Sequence, residues 1–122
     1  MIVKQFLGDR NVTINANISV EQGTMAYIKE DPSCFDSISI QTLDDLLKDY
    51  PKFRHSKILK IDTDGFDLKI LRGADNFLSE AKPVLFFEYS PFLLSQQQED
   101  GLSIFPYLQS KGYKNLLIYD YT

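Results

Sequence analysis

The sequence predicts a single α/β domain, a layered sheet of parallel strands joined by crossover helices. Three observations carry this expectation. From Thr42 onward the patterning alternates helix, strand, helix, strand, helix, strand, the order of parallel strands with returning helices. The runs Lys57–Asp62 and Val84–Tyr89 are short and, except at Lys60, the first is apolar on both faces, as a central parallel strand is. The chain has 122 residues, 43% of them hydrophobic and 25% charged, which suits one globular domain with a real core.

Before that alternation lies a β-rich segment. Residues 11–20 alternate Val12, Ile14, Ala16, Ile18 and Val20 against polar neighbours, the period of a half-buried strand. Glu21–Thr24 ("EQGT") reads as a turn and "MAYI" as a short strand after it. "KEDPSCFDS" is a polar loop, and "ISIQ" a further short strand. Thr42 then caps a helix whose apolar face is Leu43, Leu46 and Leu47. Asp45 stands three residues after the cap, as in a capping box, and Pro51 closes the helix. After Lys57–Asp62, a helix runs from Asp67 to Ala81 with an interruption near Gly73, and Pro83 ends it. Leu102–Lys111 forms another helix, stopped by Gly112, and "NLLIYD" (residues 115–120) forms a third strand. Ser95–Gly101 ("SQQQEDG") reads as a solvated loop or a frayed helix end.

Charge and cysteine usage exclude several classes of function. The net charge is −4, from 13 basic and 17 acidic residues, and no basic stripe exists for a nucleic-acid backbone. Cys34 is the single cysteine, so an internal disulfide and a thiolate metal cage are both excluded. Residues 1–8 lack the charged start and apolar core of a signal peptide, and no run is long enough to span a membrane. The default expectation is therefore a cytoplasmic protein that binds neither nucleic acid nor membrane.

The chemistry concentrates where strands end. Asp62, Glu88 and Asp120 each close a predicted strand, and ligands of open parallel sheets bind outside the carboxyl ends of the strands. Asp64 lies just beyond that edge. Carboxylates also favour helix N-termini, so helix capping is the bland alternative for these acids. Lys60 is the one charged residue inside its strand, and an ion pair with Glu88 on the neighbouring strand would satisfy it. His55 falls at the opposite, amino end of the same strand, poorly placed for a general base.

Asp62-Thr63-Asp64-Gly65 after an apolar strand admits three chemistries. Haloacid-dehalogenase-type phosphatases use the first aspartate of Asp-x-Asp-Gly as a nucleophile, but they need downstream paired acids that are absent here. Nucleotide-sugar glycosyltransferases use Asp-x-Asp to hold a divalent cation, a short and unspecific motif. A calcium loop is excluded by ligand spacing. The third candidate covers most of the chain. "TLDDLL" (42–47), "LKIDTDGFDLKILRGA" (59–74) and "KPVLFFEY" (82–89), in that order and spacing, resemble the FkbM family of S-adenosylmethionine-dependent methyltransferases. At Asp64 and Asp67 that family more often carries glutamate, which keeps the charge but alters its reach.

The resemblance implies a Rossmann-like, mostly parallel sheet with flanking helices. It implies methyl transfer from S-adenosylmethionine to a hydroxyl on a small acceptor, a sugar or a natural product. Asp62, Asp64, Glu88 and Lys60 would be catalytic, and Asp62, Thr63 and Gly65 would lie against the donor. It also exposes a deficit, because the glycine-rich turn that wraps the donor in such enzymes has no counterpart in this sequence. The expectation is a partial domain over 1–122, the C-terminal portion of the methyltransferase fold. Lys57–Asp62 would then be an edge strand, open to a second copy or a partner chain. The rival from another class is a non-catalytic interaction module derived from the same fold.

Overall fold

The structure, a computed structural model, describes residues 1–21 and 25–120; the side chains of residues 19–21, 25–27 and 29 fall outside the description. Most of the expected 21–24 turn lies outside the described residues.

Strand-forming runs at the amino end build one sheet. Strands β1 (Phe6–Leu7), β2 (Val12–Glu21), β3 (Met25–Glu30) and β4 (Ser37–Gln41) are ordered β1-β4-β2-β3. Two pairings are antiparallel, β2 with β3 and β2 with β4, and only β1 with β4 is parallel. The alternation expected over 11–20 holds from Val12 to Asn17: Ala16 is buried, Val12 and Ile14 are half-buried, and Thr13, Asn15 and Asn17 face water, while the side chain of Val20 lies outside the description. Ile18 is exposed because β4 covers β2 only as far as Asn15.

Helix α1 (Leu43–Asp49) starts where the cap signal lies, with the Thr42 hydroxyl accepting from the Asp45 N–H at 3.2 Å. The capping box itself is rewired. The Thr42 N–H donates to the Asn11 side-chain carbonyl at 2.9 Å, while the Asp45 carboxylate pairs with Asn11 and Lys48. A 3-10 turn at Pro51–Phe53 follows, and then β5 (Ile58–Lys60). The helix expected over 67–81 is two, α2 (Asp67–Arg72) and α3 (Asp75–Glu80), broken at Gly73 and Ala74. Strand β6 (Val84–Phe86) pairs in parallel with β5, Ile58 opposite Val84 and Lys60 opposite Phe86. Helix α4 (Pro91–Gln96), which the sequence reading did not separate, and α5 (Ile104–Ser110) complete the order. Gly112 stops α5 as expected: its N–H donates to Gln109 and that of Tyr113 to Leu108.

The core lies between the helices and one face of β5–β6. It contains Leu43, Leu47, Ile61, Leu68, Leu71, Phe77, Leu78 and Ile104, with Leu59, Leu85 and Phe87 packed against it. Asp44 locks the layout: its N–H donates to Gly73, and its carboxylate accepts from the Asn76 and Phe77 N–H groups at 2.8 and 2.9 Å. Gly73 is required there, since a Cβ would fall inside the envelope of the Gly8 carbonyl just after β1.

Three expectations are corrected. Residues 115–120 form no strand, so the β5–β6 sheet has two described strands rather than three. Lys60 is not buried and does not pair with Glu88. Its Nζ lies 3.2 Å from Asp62, both side chains about two-thirds exposed or more at 71% and 67%. The lysine is exposed because the outer face of β5–β6, bearing Ile58, Lys60, Val84 and Phe86, carries no helix among the described residues. Among the described residues the chain is thus mixed α/β with small sheets and five helices, and parallel pairing is confined to β5–β6 and the short β1–β4 contact.

Candidate functional site

The site is built by the turn that leaves β5. Ile61 continues the ladder by donating its N–H to Phe86 at 2.8 Å and is itself buried, so the backbone of Asp62 is fixed at the strand's carboxyl end. Asp64 then adopts φ of 50° and Gly65 φ of 108°. Aspartate tolerates the left-handed region better than most residues, and glycine enters it freely. Gly65 is also pressed against α4: a Cβ would meet the Leu93 carbonyl oxygen at 3.2 Å. That contact lays α4 over the turn.

Asp67 is the residue that the sequence reading left out of the site. It opens α2, is 0% exposed, and its Oδ1 accepts from the Thr63 hydroxyl at 3.0 Å. Its other oxygen, Oδ2, is buried with no hydrogen-bond partner among the described residues. The signal was present in spacing, since Asp67, Ile70, Leu71 and Ala74 share one helical stripe that is otherwise apolar.

Glu88 stands two residues beyond β6, beside this turn. Its pKa is raised from the ordinary value, first by partial desolvation of a carboxyl that lies near the surface. The charges of Asp67, Asp64 and Asp62 act next, in that order. The turn therefore brings Asp62, Asp64 and Asp67 within electrostatic reach of Glu88, with Lys60 touching only Asp62. Asp62 is exposed, while Thr63 and Asp64 are half-buried and Gly65 is buried.

The remaining candidates fall elsewhere. Asp120 lies in the unpaired segment and does not join the edge of strand-end acids. His55 is exposed before β5, as expected of a solvated histidine, and Cys34 is a free thiol whose Sγ lies 3.1 Å from the Asn17 side-chain oxygen. Among the described residues no three His, Cys, Asp or Glu side chains are arranged to hold a metal ion. Two shallow concavities lie away from the turn, one between β2, β4 and α1 beside Asn11, Thr13 and Lys48, the other along Gln5, Phe35 and Ser37. No described helix is long and apolar enough to cross a membrane.

The carboxylates lie beyond the carboxyl end of a parallel strand pair, where ligands of open α/β sheets bind. The family model for the methyltransferase FkbM domain matches residues 7–114, from β1 to the end of the ordered α5 region. The chain belongs to the FkbM methyltransferase family. Searches of curated proteins and of solved structures gave no match.

Proposed function

We propose that this chain serves S-adenosylmethionine-dependent methyl transfer to a hydroxyl of a small acceptor, a sugar or a natural product. The observation that carries it is the carboxylate turn at the end of β5, held within a domain of the FkbM methyltransferase family. The residues suit the positively charged end of such a donor. Asp62, Asp64, Asp67 and Glu88 offer negative charge, and the buried Asp67 Oδ2 has no hydrogen-bond partner among the described residues to offset it. The nucleoside end has no counterpart of this kind, because the sequence holds no G-x-G turn.

When bound, S-adenosylmethionine supplies an electrophilic methyl group. The protein's part is to orient the acceptor hydroxyl in line with it. Asp62, at the strand tip, would accept the proton of the acceptor hydroxyl, and Lys60 lies 3.2 Å from that carboxylate. Glu88, with its raised pKa, is a stronger proton acceptor than an ordinary carboxylate and is the second candidate base. Thr63 and Gly65 shape the turn against which the donor lies. In this reading the protein acts in the cytoplasm, without nucleic acid or membrane, on a Rossmann-like scaffold.

One observation favours a second reading, a non-catalytic interaction module: the apolar outer face of β5–β6, where Ile58, Val84 and Phe86 are exposed. Calorimetric titration of S-adenosylmethionine, and then of its demethylated product, separates the two. Saturable binding that weakens in Asp62→Ala supports the enzyme reading. At about a hundred times the dissociation constant the ligand also raises stability by roughly 2.7 kcal/mol. Folded protein that takes up neither ligand sinks the donor-binding proposal for this chain.

A further inference from the structure

Residues 114–120 ("KNLLIYD") form a strand-like sequence without a sheet. Leu116, Leu117, Ile118 and Tyr119 are 55%, 78%, 82% and 77% exposed, and no backbone hydrogen bond of 114–120 exists among the described residues. Four consecutive large apolar side chains in water, on an unpaired β-prone backbone, form a sticky element that folded proteins ordinarily cover.

The same molecule carries an acceptor for it. Val84 and Phe86 direct their backbone groups at β5, since the Val84 N–H donates to Lys57 and the Phe86 carbonyl accepts from Ile61. Alternation along a strand then points the N–H and C=O of Leu85 and Phe87 outward, along the free edge of β6. Beside that edge lie the exposed Val84 and Phe86 side chains.

The chain's own segment fits this edge poorly. The Tyr113 hydroxyl donates to the Pro83 carbonyl at 2.8 Å, which roots the segment beside the start of β6. A segment that follows the β6 edge from there runs parallel to β6. With Tyr113 level with Pro83, Lys114 meets Val84 and Ile118 meets Glu88, so charged residues face apolar ones. The antiparallel direction gives a complementary register. When Lys114 faces Glu88, Leu116 faces Phe86 and Ile118 faces Val84. Two apolar pairs then lie beside one opposite-charge pair, on the face left open. An antiparallel approach is closed to the chain's own segment, because no residues remain between Tyr113 and Lys114 to reverse direction.

We infer that residues 114–120 of one copy add antiparallel to the β6 edge of a second copy, so that the chain self-associates by strand addition. A reciprocal exchange closes as a two-fold dimer, since each copy carries both the donor segment and the acceptor edge.

The test is mass in solution, by sedimentation or light scattering at concentrations up to about 100 μM. The expected result is a concentration-dependent shift above the monomer mass. Ile118→Lys, at a position too exposed to matter for folding, is expected to abolish it. Lys114→Glu is expected to weaken association about fivefold, and the added Glu88→Lys to restore it. Cysteine pairs in a Cys34→Ser background fix the register: Ile118→Cys with Val84→Cys is expected to give a disulfide between copies. A monomer throughout the range overturns the inference. So does an efficient disulfide within one chain from Lys114→Cys with Val84→Cys, which would show the parallel, self-covering alternative.

Discussion

Replacing Asp44 by alanine tests whether one carboxylate holds α1 to the α2–α3 junction behind the acid turn. Helix α3 has no cap of its own, because its N-cap residue is Ala74 and makes no side-chain hydrogen bond. Asp44 reaches across from α1 and accepts from the second and third N–H groups of α3, at 2.8 and 2.9 Å. It thus performs from another helix what a cap residue does from its own. Loss of a cap oxygen costs about 1 kcal/mol, and charge-assisted bonds stand at the upper end of the range. One of the two N–H groups is exposed and recovers a water partner, the other is part-buried and does not do so fully. The expected cost of Asp44→Ala is therefore about 1–2 kcal/mol. For a domain of this length that is a fall in Tm of about 3–6 °C per kcal/mol. Asp44→Asn keeps one accepting oxygen and should lose about half as much. Urea unfolding followed by circular dichroism gives the numbers, with an unchanged m-value as the sign of a native-state effect. An alanine variant as stable as wild type, or an asparagine variant equal to the alanine one, would refute the two-bond clamp.

Gly73→Ala should cost about 2–4 kcal/mol, because the new methyl meets backbone at Gly8, whereas Gly8→Ala meets only the movable Ile40 side chain and should cost clearly less; paired urea titrations show whether that order holds. Glu88 carries a pKa raised above 4.5, so the folded state retains its proton where the unfolded state has lost it, and stability falls as pH rises through the window just above that value. Glu88→Gln should remove this slope, visible as a smaller loss of Tm between about pH 4 and pH 7, and parallel curves for the two proteins would contradict it. Asp67→Asn keeps an oxygen for the Thr63 hydroxyl but removes a buried carboxylate with an unpartnered oxygen. It should leave stability unchanged or raise it by up to about 2 kcal/mol, and a marked loss in thermal unfolding would mean that the charge is satisfied in the free protein.

The sequence announced most elements through local chemistry and missed what depends on coverage. Thr42, Pro51, Gly73 and Gly112 mark helix boundaries by backbone effects that act within a few residues, and the structure puts boundaries there. Alternation over 12–17 likewise told which side of β2 is covered there. Lys57–Asp62 was a harder case. An apolar residue on each face suggests two covered faces, yet Ile58 remains exposed because no helix covers that side. The same missing cover frees Lys60 from any need for Glu88. "NLLIYD" has strand propensity, but pairing needs a partner edge in a compatible direction, which no local pattern encodes. Asp67 was hidden for the opposite reason: an acid opening a helix looks like a capping residue, and only its place on the 67/70/71/74 stripe reveals burial.

The cost of the acid turn argues that it is kept for a ligand. Three constraints hold it in place: the Ile61–Phe86 bond, the Thr63–Asp67 bond, and the contact of Gly65 with the backbone of α4. None of them neutralises the carboxylates, and Lys60 reaches Asp62 alone, in water, where an ion pair is worth little. Stability by itself would favour an apolar side chain at position 67, completing the stripe that Ile70, Leu71 and Ala74 share. It would also favour relief of the desolvation, and then the repulsion, that raise Glu88. A rigid turn that concentrates uncompensated negative charge beside an unpartnered buried oxygen gains most from a ligand carrying positive charge. That is the demand a sulfonium donor meets, and a neutral acceptor alone does not.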